Sequence, residues 1–201
     1  SSKMAASKIC LLVFLVTLGA MGQDLFEMET KPIDLTNLPP HPRLVATDLT
    51  ITRVRKSPPS RAVQSGRHNV IATYPSRKMG VTIQAESHTV ELLGIYDMER
   101  DPNVLEYYNQ PPSITLRYID KHGHKQGHMH TPDFFVIRKD GAGWVEWKDD
   151  EDIAKLAIEK PFRFVRLDNG QWQSPPGEAV AKPLGLSYAV RTPASLDIAL
   201  I

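Results

Sequence analysis

The chain has 201 residues, enough for one domain of ordinary size, with 41% hydrophobic and 23% charged residues and a formal net charge of +1. This composition is typical of a globular protein and excludes a collagen-like, fibrous or wholly disordered chain. Cys10 is the only cysteine, so the body of the chain excludes a disulfide framework and a zinc site built from cysteines.

Residues 1–22 resemble a secretory signal. Lys3 and Lys8 precede an apolar run (ICLLVFLVTLGA), and small residues follow it. The run is shorter than a membrane-spanning helix requires. One interpretation is export. The other is that translation begins at Met21 or Met28 and that the residues before it do not belong to the natural protein. The chemistry of the residues downstream decides between the two.

Residues 23–66 are rich in proline and have no clear periodicity, which predicts an extended arm or linker. Residues 43–78 contain many basic side chains and a single acidic one, Asp48. Such a charge balance suits a partner that carries phosphates, although a solvated linker would show it too. The basic residues are Arg43, Arg53, Arg55, Lys56, Arg61, Arg67, Arg77 and Lys78.

The folded body is predicted to cover residues 67–174. Apolar residues recur at helical spacing in residues 86–99, which predicts an amphipathic helix packed on a sheet. Residues 139–143 (KDGAG) predict a hairpin turn whose glycines adopt positive φ, and residues 149–160 predict a helix with acids in its first turn. The predicted strands are residues 68–73, 81–85, 104–109, 113–119, 126–130, 134–138 and 144–148, followed by a hairpin at residues 163–173.

The chemistry is concentrated on two neighbouring strands, where Pro132-Asp133 is followed by Glu146-Trp147-Lys148. Side chains alternate along a strand, so Glu146 and Lys148 point the same way, and the short turn brings Asp133 alongside them. Two carboxylates at one point repel each other and favour a divalent cation with oxygen ligands. Glu91, from the helix upstream, would add a third carboxylate.

This pattern is that of PD-(D/E)xK nucleases, and it predicts an α/β fold with a restriction-endonuclease-like mixed central sheet, flanked by helices and preceded by the extended N-terminal arm. In this hypothesis Asp133, Glu146 and the Trp147 carbonyl hold Mg²⁺, for which Mn²⁺ can substitute, and Glu91 helps to hold a second ion. Lys148 positions or deprotonates the attacking water, or neutralises charge on the reacting phosphate. The alternative is a surface aspartate with a solvated Glu/Lys pair.

Residues 74–160 resemble the N-terminal nuclease domain of TnsA, the endonuclease subunit of heteromeric cut-and-paste transposases. The resemblance implies that Glu91, Asp133 and Lys148 match the catalytic residues of the family, and that Glu146 stands where the family accepts Gln or Glu. Four motifs carry it, in the expected order: PSRKMG at 75–80 leading into ESHTVE at 86–91, DPNV at 101–104 followed by Gln110-Pro111, HTPDF at 130–134, and VEWK at 145–148.

The resemblance also implies a reaction and partners. The enzyme would cut the non-transferred strand at the 5′ ends of the transposon, alongside a DDE-type transposase that cuts the 3′ ends and under an AAA+ regulator. Two features depart from the family: residues 1–22 have no counterpart, and the second domain, which contacts the regulator, corresponds at most to the tail at residues 175–201. We therefore expect a fragment, a reduced relative or a detached nuclease domain. A DNA substrate favours a cytoplasmic location over export.

Residues outside the acidic centre are predicted to contact double-stranded DNA: Arg77, Lys78, Gln110 and His130. A solvated loop, or a polar residue at a strand end, is the alternative for the first three. The cluster of His122, His124, His128 and His130 is consistent with zinc binding, with contacts to the DNA backbone or with simple exposure. Rival functions are a restriction or junction-resolving nuclease, a catalytically silent DNA- or partner-binding module, and a secreted binding protein.

Overall fold

The computed structural model describes residues 42–60, 71–86, 90–120 and 122–196. All of them lie within one compact unit, Pro39–Ile201. The signal-like segment at residues 1–22 lies outside the described residues, as does most of the predicted arm. Within the described ranges, no helix has the length and apolar character needed to cross a membrane.

The described chain contains both helices and strands. The helices are α1 (Pro42–Lys56), α2 (Val90–Arg100), α3 (Asp150–Glu159) and α4 (Pro175–Ala181), and single 3₁₀ turns cover Lys182–Leu184 and Pro193–Ser195. The strands are β1 (Ile71–Pro75), β2 (Thr82–Glu86), β3 (Val104–Asn109), β4 (Ile114–Ile119), β5 (Lys125–His130), β6 (Phe134–Arg138), β7 (Gly141–Trp147), β8 (Val165–Arg166), β9 (Trp172–Gln173) and β10 (Ser187–Arg191).

The central sheet has four strands in the order β10-β7-β6-β3. The pairs β3–β6 and β6–β7 are antiparallel, whereas β10 lies parallel to β7, which makes the sheet mixed. The first four residues of β6 (FFVI) are buried, as expected for a strand that is covered on both faces. The predicted fold class, a restriction-endonuclease-like mixed sheet flanked by helices, is confirmed. The hairpins β1–β2, β4–β5 and β8–β9 form separate two-stranded sheets.

Each face of the central sheet carries its own hydrophobic core. Because side chains alternate along β6 and β7, Phe135 and Trp144 enter one core while Phe134 and Val145 enter the other. The first core also receives Val54 of α1, Ile153 of α3 and Ala181 of α4. The second is covered by α2, through Ile95 and Met98, and by Ile83 and Ala85 of β2.

Helix α1 corrects the prediction of an extended arm. Residues 42–56 are helical, and Val54 is only 3% exposed because it packs into the first core. The Thr47 hydroxyl donates to the carbonyl of Leu184 at 2.5 Å. Burial of this apolar side chain stabilises the helix, although the helix has no acid in its first turn. The basic residues Arg53, Arg55 and Lys56 occupy its last turn, where cations interact favourably with the helix dipole.

The turn between β6 and β7 is tighter than predicted. It consists of Lys139 and Asp140, and the strand already begins at Gly141. The prediction that these glycines adopt positive φ is wrong, since neither Gly141 nor Gly143 has a positive φ. Gly143 is required by close packing instead: a Cβ there would lie 2.3 Å from the carbonyl oxygen of Ser187 on β10.

β10 corrects the predicted boundary at residue 174. Residues 175–201 were predicted only as a tail, yet Ser187–Arg191 forms the edge of the central sheet and pairs with Gly143–Trp147. α4 precedes it and packs closely: a Cβ on Gly177 would lie 2.5 Å from the Tyr188 ring. The nuclease-like body therefore continues beyond residue 174 and includes β10.

Candidate active site

Asp133 lies immediately before β6 and is held through its main chain and its side chain. Its carbonyl accepts the backbone N–H of Gln110 at 2.8 Å, and its Oδ2 accepts the N–H of Trp147 at 2.7 Å. Gln110 has a φ of 46°, an uncommon conformation for a residue other than glycine, at the point where the chain leaves β3. These bonds fix Asp133 against the end of β7.

Glu146 is the centre of the cluster and is fully buried, with 0% exposure. Its Oε2 accepts a hydrogen bond of 2.6 Å from the Tyr188 hydroxyl and lies 3.4 Å from Nε2 of His130. Its Oε1 lies 3.2 Å from Lys148 Nζ and 3.3 Å from Arg163 Nη2. A buried carboxylate is tolerated only when such partners compensate its charge, and here both oxygens are compensated.

The Lys148 ammonium lies among three oxygens. Nζ is 3.2 Å from Glu146 Oε1, 3.8 Å from Asp133 Oδ2 and 3.0 Å from the Trp147 carbonyl oxygen. These are the three oxygens that the sequence predicted as metal ligands. The ammonium therefore stands at the point on which these oxygens converge. The donor set fits a hard divalent cation, because all three ligands are oxygens and two of them carry charge.

The two carboxyl groups of the cluster have pKa values shifted in opposite directions. Burial opposes ionisation of Glu146, but the hydrogen bond from His130 and the charge of Lys148 outweigh it, so its pKa lies well below the ordinary value. Burial raises the pKa of Asp133 despite the opposing charge of Lys148. Burial alone would lower the pKa of Lys148, yet the charges of Asp133 and Glu146 raise it. One firmly ionised carboxylate thus neighbours one whose charge is costly.

His130, Tyr188 and Arg163 form a second layer around Glu146. Arg163 Nη2 lies 3.2 Å from His130 Nδ1, and because a guanidinium only donates, the ring proton of His130 sits on Nε2. Nε2 then faces the Tyr188 hydroxyl at 3.0 Å as well as Glu146. Burial and the charge of Glu146 raise the pKa of Tyr188, which keeps its hydroxyl protonated as a donor. The three side chains hold Glu146 in one orientation.

Two of these residues were missed by the sequence analysis. Tyr188 comes from β10, which is far along the chain, and only the alternation of SYAV hints at a strand there. Arg163 follows α3 and lies over the Phe164 ring, with its guanidinium carbon 5.1 Å from the ring centroid. Its Nε is buried without a hydrogen-bond partner in the described part of the chain. No local pattern marked it.

Glu91 is the second residue of α2, the helix that covers the second hydrophobic core. α2 packs tightly on β7 at Gly94, where a Cβ would lie 2.5 Å from Nε1 of Trp147. Glu91 precedes Gly94 by one helical turn, which places both on the same side of α2. Across residues 42–60, 71–86, 90–120 and 122–196, no three His, Cys, Asp or Glu residues are grouped to hold a metal ion. The metal-binding role of Glu91 stays a prediction.

The residues predicted to contact DNA have different surroundings. Arg77 is exposed, whereas the Lys78 ammonium donates to the carbonyls of Met98, Asp101 and Val104 and thus binds the end of α2. Gln110 is 4% exposed, and its main chain contacts Asp133 and Ser60. His130 belongs to the cluster around Glu146. Contacts of these four residues with DNA stay predictions. The surroundings of Lys78 and Gln110 indicate that these two side chains have structural roles.

The mixed sheet, with Asp133 just before β6 and Glu146 and Lys148 at the end of β7, fits a restriction-endonuclease-like fold. Residues 101–174, less than half of the chain, match the family described as TnsA-like endonuclease N terminal. The match contains Asp133, Glu146 and Lys148, and it leaves out Glu91 and Tyr188. It confirms the resemblance drawn from the motifs: this segment is similar to a nuclease domain associated with transposition. No curated protein matches the chain.

Proposed function

We propose that the protein is a metal-dependent DNA endonuclease, and that it cuts the non-transferred strand at the 5′ ends of a transposon. One observation carries this proposal: Asp133 Oδ2, Glu146 Oε1 and the Trp147 carbonyl converge on a single cation, the Lys148 ammonium. Such a cluster of oxygens on adjacent strand ends suits a Mg²⁺ or Mn²⁺ ion that acts on a phosphodiester.

The proposed roles follow from the contacts. Asp133, Glu146 and the Trp147 carbonyl would hold Mg²⁺, which when bound would polarise the scissile phosphate and acidify a water; Glu91 is proposed to assist with a second ion. The Lys148 side chain contacts these three oxygens through its ammonium, so rotation of the side chain would release the oxygens and leave the cation beside the phosphate. There it would neutralise developing charge or orient the attacking water.

The contacts that hold Glu146 and Asp133 in place support these proposed roles. Tyr188, His130 and Arg163 hold Glu146 from three sides, so its carboxylate keeps its orientation when Lys148 moves. The N–H of Trp147 and the N–H of Gln110 hold Asp133 in the same way. Two carboxylates held in fixed orientations next to an ammonium are suited to positioning a phosphate and a water for reaction.

The proposed partners come from the likeness to TnsA-like domains. We propose that the substrate is duplex DNA at transposon ends in the cytoplasm, and that a DDE-type transposase and an AAA+ regulator act with the protein. Cleavage of plain plasmid DNA by the protein alone would instead favour a restriction or junction-resolving nuclease with the same core.

A catalytically silent DNA-binding module is the second candidate, and one observation favours it. Both oxygens of Glu146 are satisfied by donors from the protein, an arrangement that also serves a purely structural buried charge. In that case substitution of Lys148 would lower stability and change no reaction.

The deciding experiment is a strand-specific nicking assay on transposon-end DNA with Mg²⁺ or Mn²⁺, with and without the transposase. Asp133→Asn and Lys148→Met are compared with the wild type after their folding has been checked by circular dichroism. Lys139→Ala is the matched control, because Lys139 is an exposed cation on the turn at the opposite end of β6. We expect 5′-strand nicking by the wild type and the control only. Equal nicking by all four proteins would refute the site.

A further inference from the structure

We propose that one face of the β4–β5 hairpin, in the segment that leads into the acidic cluster, is a DNA-binding surface. The outer hairpin face is defined by Thr115, Arg117, Ile119, Lys125, Gly127 and Met129. This inference rests on the proposed function for the choice of substrate. The surface itself follows from register, exposure and charge.

The register separates the two faces of the hairpin. Arg117 pairs with Gly127 and Ile119 pairs with Lys125, so these side chains share the outer side. The inner side carries Leu116, which is fully buried, and Tyr118, whose ring stacks on Phe162 at 4.5 Å between centroids. The inner side thus attaches the hairpin to the body and leaves the outer side to solvent.

Charge makes the outer hairpin face suitable for phosphates. Asp120 is the only acid between residues 113 and 131. Its carboxylate is used within the turn, where it accepts the N–H groups of His122 and His124 at 2.9 Å and the Gln126 amide at 2.8 Å. Arg117 and Lys125 are diagonal neighbours, which places their Cβ atoms roughly 7 Å apart. Two neighbouring exposed cations therefore face solvent, and the one acid of the hairpin, Asp120, is held by donors within the turn.

The hairpin leads directly into the acidic cluster. His130 ends β5 and lies 3.4 Å from Glu146, and the Thr131 hydroxyl forms a 2.7 Å hydrogen bond with Ser113 at the base of the two strands. Asp133 follows two residues later. His130 shares the inner side of the hairpin with Leu116 and Tyr118, so the inner side meets the carboxylates and the outer hairpin face lies on the other side of the same ribbon.

Shape favours DNA over a protein partner. A two-stranded antiparallel ribbon is of a size that enters the major groove of B-DNA, which is about 12 Å wide. Ile119 and Met129 are 60% and 64% exposed, and apolar side chains in that groove contact thymine methyl groups. The cations beside them would contact phosphates, whereas a protein partner would need an acidic complement to both.

Substitution of Gly127 can add a charged side chain to the outer hairpin face without removing an existing contact. Its φ is not in the positive range, and an added Cβ would meet only the Thr115 methyl at 3.8 Å, an ordinary contact. Gly127→Lys and Gly127→Glu therefore differ mainly in charge. We expect the lysine variant to bind duplex DNA more tightly than the wild type and the glutamate variant more weakly. A phosphate contact changes affinity on the order of tenfold at 0.1 M salt.

The assay is fluorescence anisotropy with a labelled duplex and no divalent metal, so that binding is read without cleavage. The double variant R117A/K125A should lose affinity and should lower the salt-dependence slope by about 2, one for each lost phosphate contact. The Lys139→Ala control should bind like the wild type. If the double variant does not fold, the Gly127 pair still decides.

The outcomes separate this proposal from the proposed function. Equal affinities of Gly127→Lys and Gly127→Glu for the duplex would overturn the hairpin proposal, whether or not the protein cleaves DNA. Opposite shifts of the two variants would support it even if the wild type cuts no DNA, which would count against the nuclease only. Loss of transposase binding by the double variant, with DNA binding unchanged, would assign the face to a protein partner.

Discussion

Two neighbouring carboxylates of the cluster should respond in opposite ways to the same chemical change. Glu146→Gln and Asp133→Asn each replace a carboxylate by an amide of nearly equal shape. The pKa of Glu146 is lowered by His130 and Lys148, so its ionised form stabilises the fold at every pH above its value in the unfolded chain. The pKa of Asp133 is raised by burial, so its ionised form opposes folding at neutral pH.

The magnitude for Glu146 follows from its surroundings. Two cationic side chains lie within 3.3 Å of its Oε1, and Tyr188 donates to Oε2 at 2.6 Å. Loss of one member of a buried ionic cluster costs about 3 kcal/mol, because the remaining charges are left without compensation. In a domain of this size that corresponds to a decrease in Tm of roughly 6–12 °C. Asp133→Asn keeps an acceptor for the N–H of Trp147 and removes the costly charge, so its Tm should not fall.

The measurement is thermal unfolding of the wild type and both variants at pH 7 in metal-free buffer, followed by the same series at decreasing pH. Stability that Glu146 contributes is lost as pH falls from its unfolded pKa of about 4.3 towards its lower folded value, so the gap between the wild type and Glu146→Gln should narrow in acid. A lower Tm for Asp133→Asn than for Glu146→Gln at pH 7 would refute the reasoning about these charges.

Three further substitutions test the packing around the site. Tyr188→Phe should lower the free energy of unfolding by about 1.5–3 kcal/mol in urea titrations, because it removes a hydrogen bond to a buried charge; an unchanged midpoint would contradict that bond. Gly94→Ala should destabilise by about 1–3 kcal/mol, since its Cβ would lie 2.5 Å from Nε1 of Trp147, whereas Gly141→Ala, with nothing within 4 Å, serves as its control. Lys148→Met should increase the rise in Tm caused by Mg²⁺, because it removes the cation that occupies the three oxygens; a rise equal to that of the wild type would argue against a metal at this point.

The local part of the site could be predicted from the sequence because it depends on short distances along the chain. Alternation along β7 places Glu146 and Lys148 on one side, and a tight turn fixes β6 beside β7, so Asp133 arrives next to Glu146. The strands Val104–Asn109 and Phe134–Arg138 were predicted with their observed bounds, because each is an apolar or aromatic run between turn residues.

The parts that were missed depend on contacts between distant segments. β10 is paired with β7 across some forty residues of chain, and nothing in Ser187–Arg191 specifies a parallel partner. Gly143 shows the same limit, since a glycine in a turn-like stretch suggested positive φ, while the approach of Ser187 is what excludes a side chain. α1 was overlooked because its residues have little amphipathic pattern, and its stability comes from Val54 in the core.

The contact between Tyr188 and Glu146 determines where a fragment that contains the nuclease-like core should end. A fragment cut at the last residue of the family match would lose the edge strand of the sheet and, with it, the shortest hydrogen bond to Glu146. The remaining polypeptide would expose the flank of β7 to pairing with other chains. A minimal autonomous fragment should therefore extend through residue 196, and fusions or deletions are better placed after that point than before it.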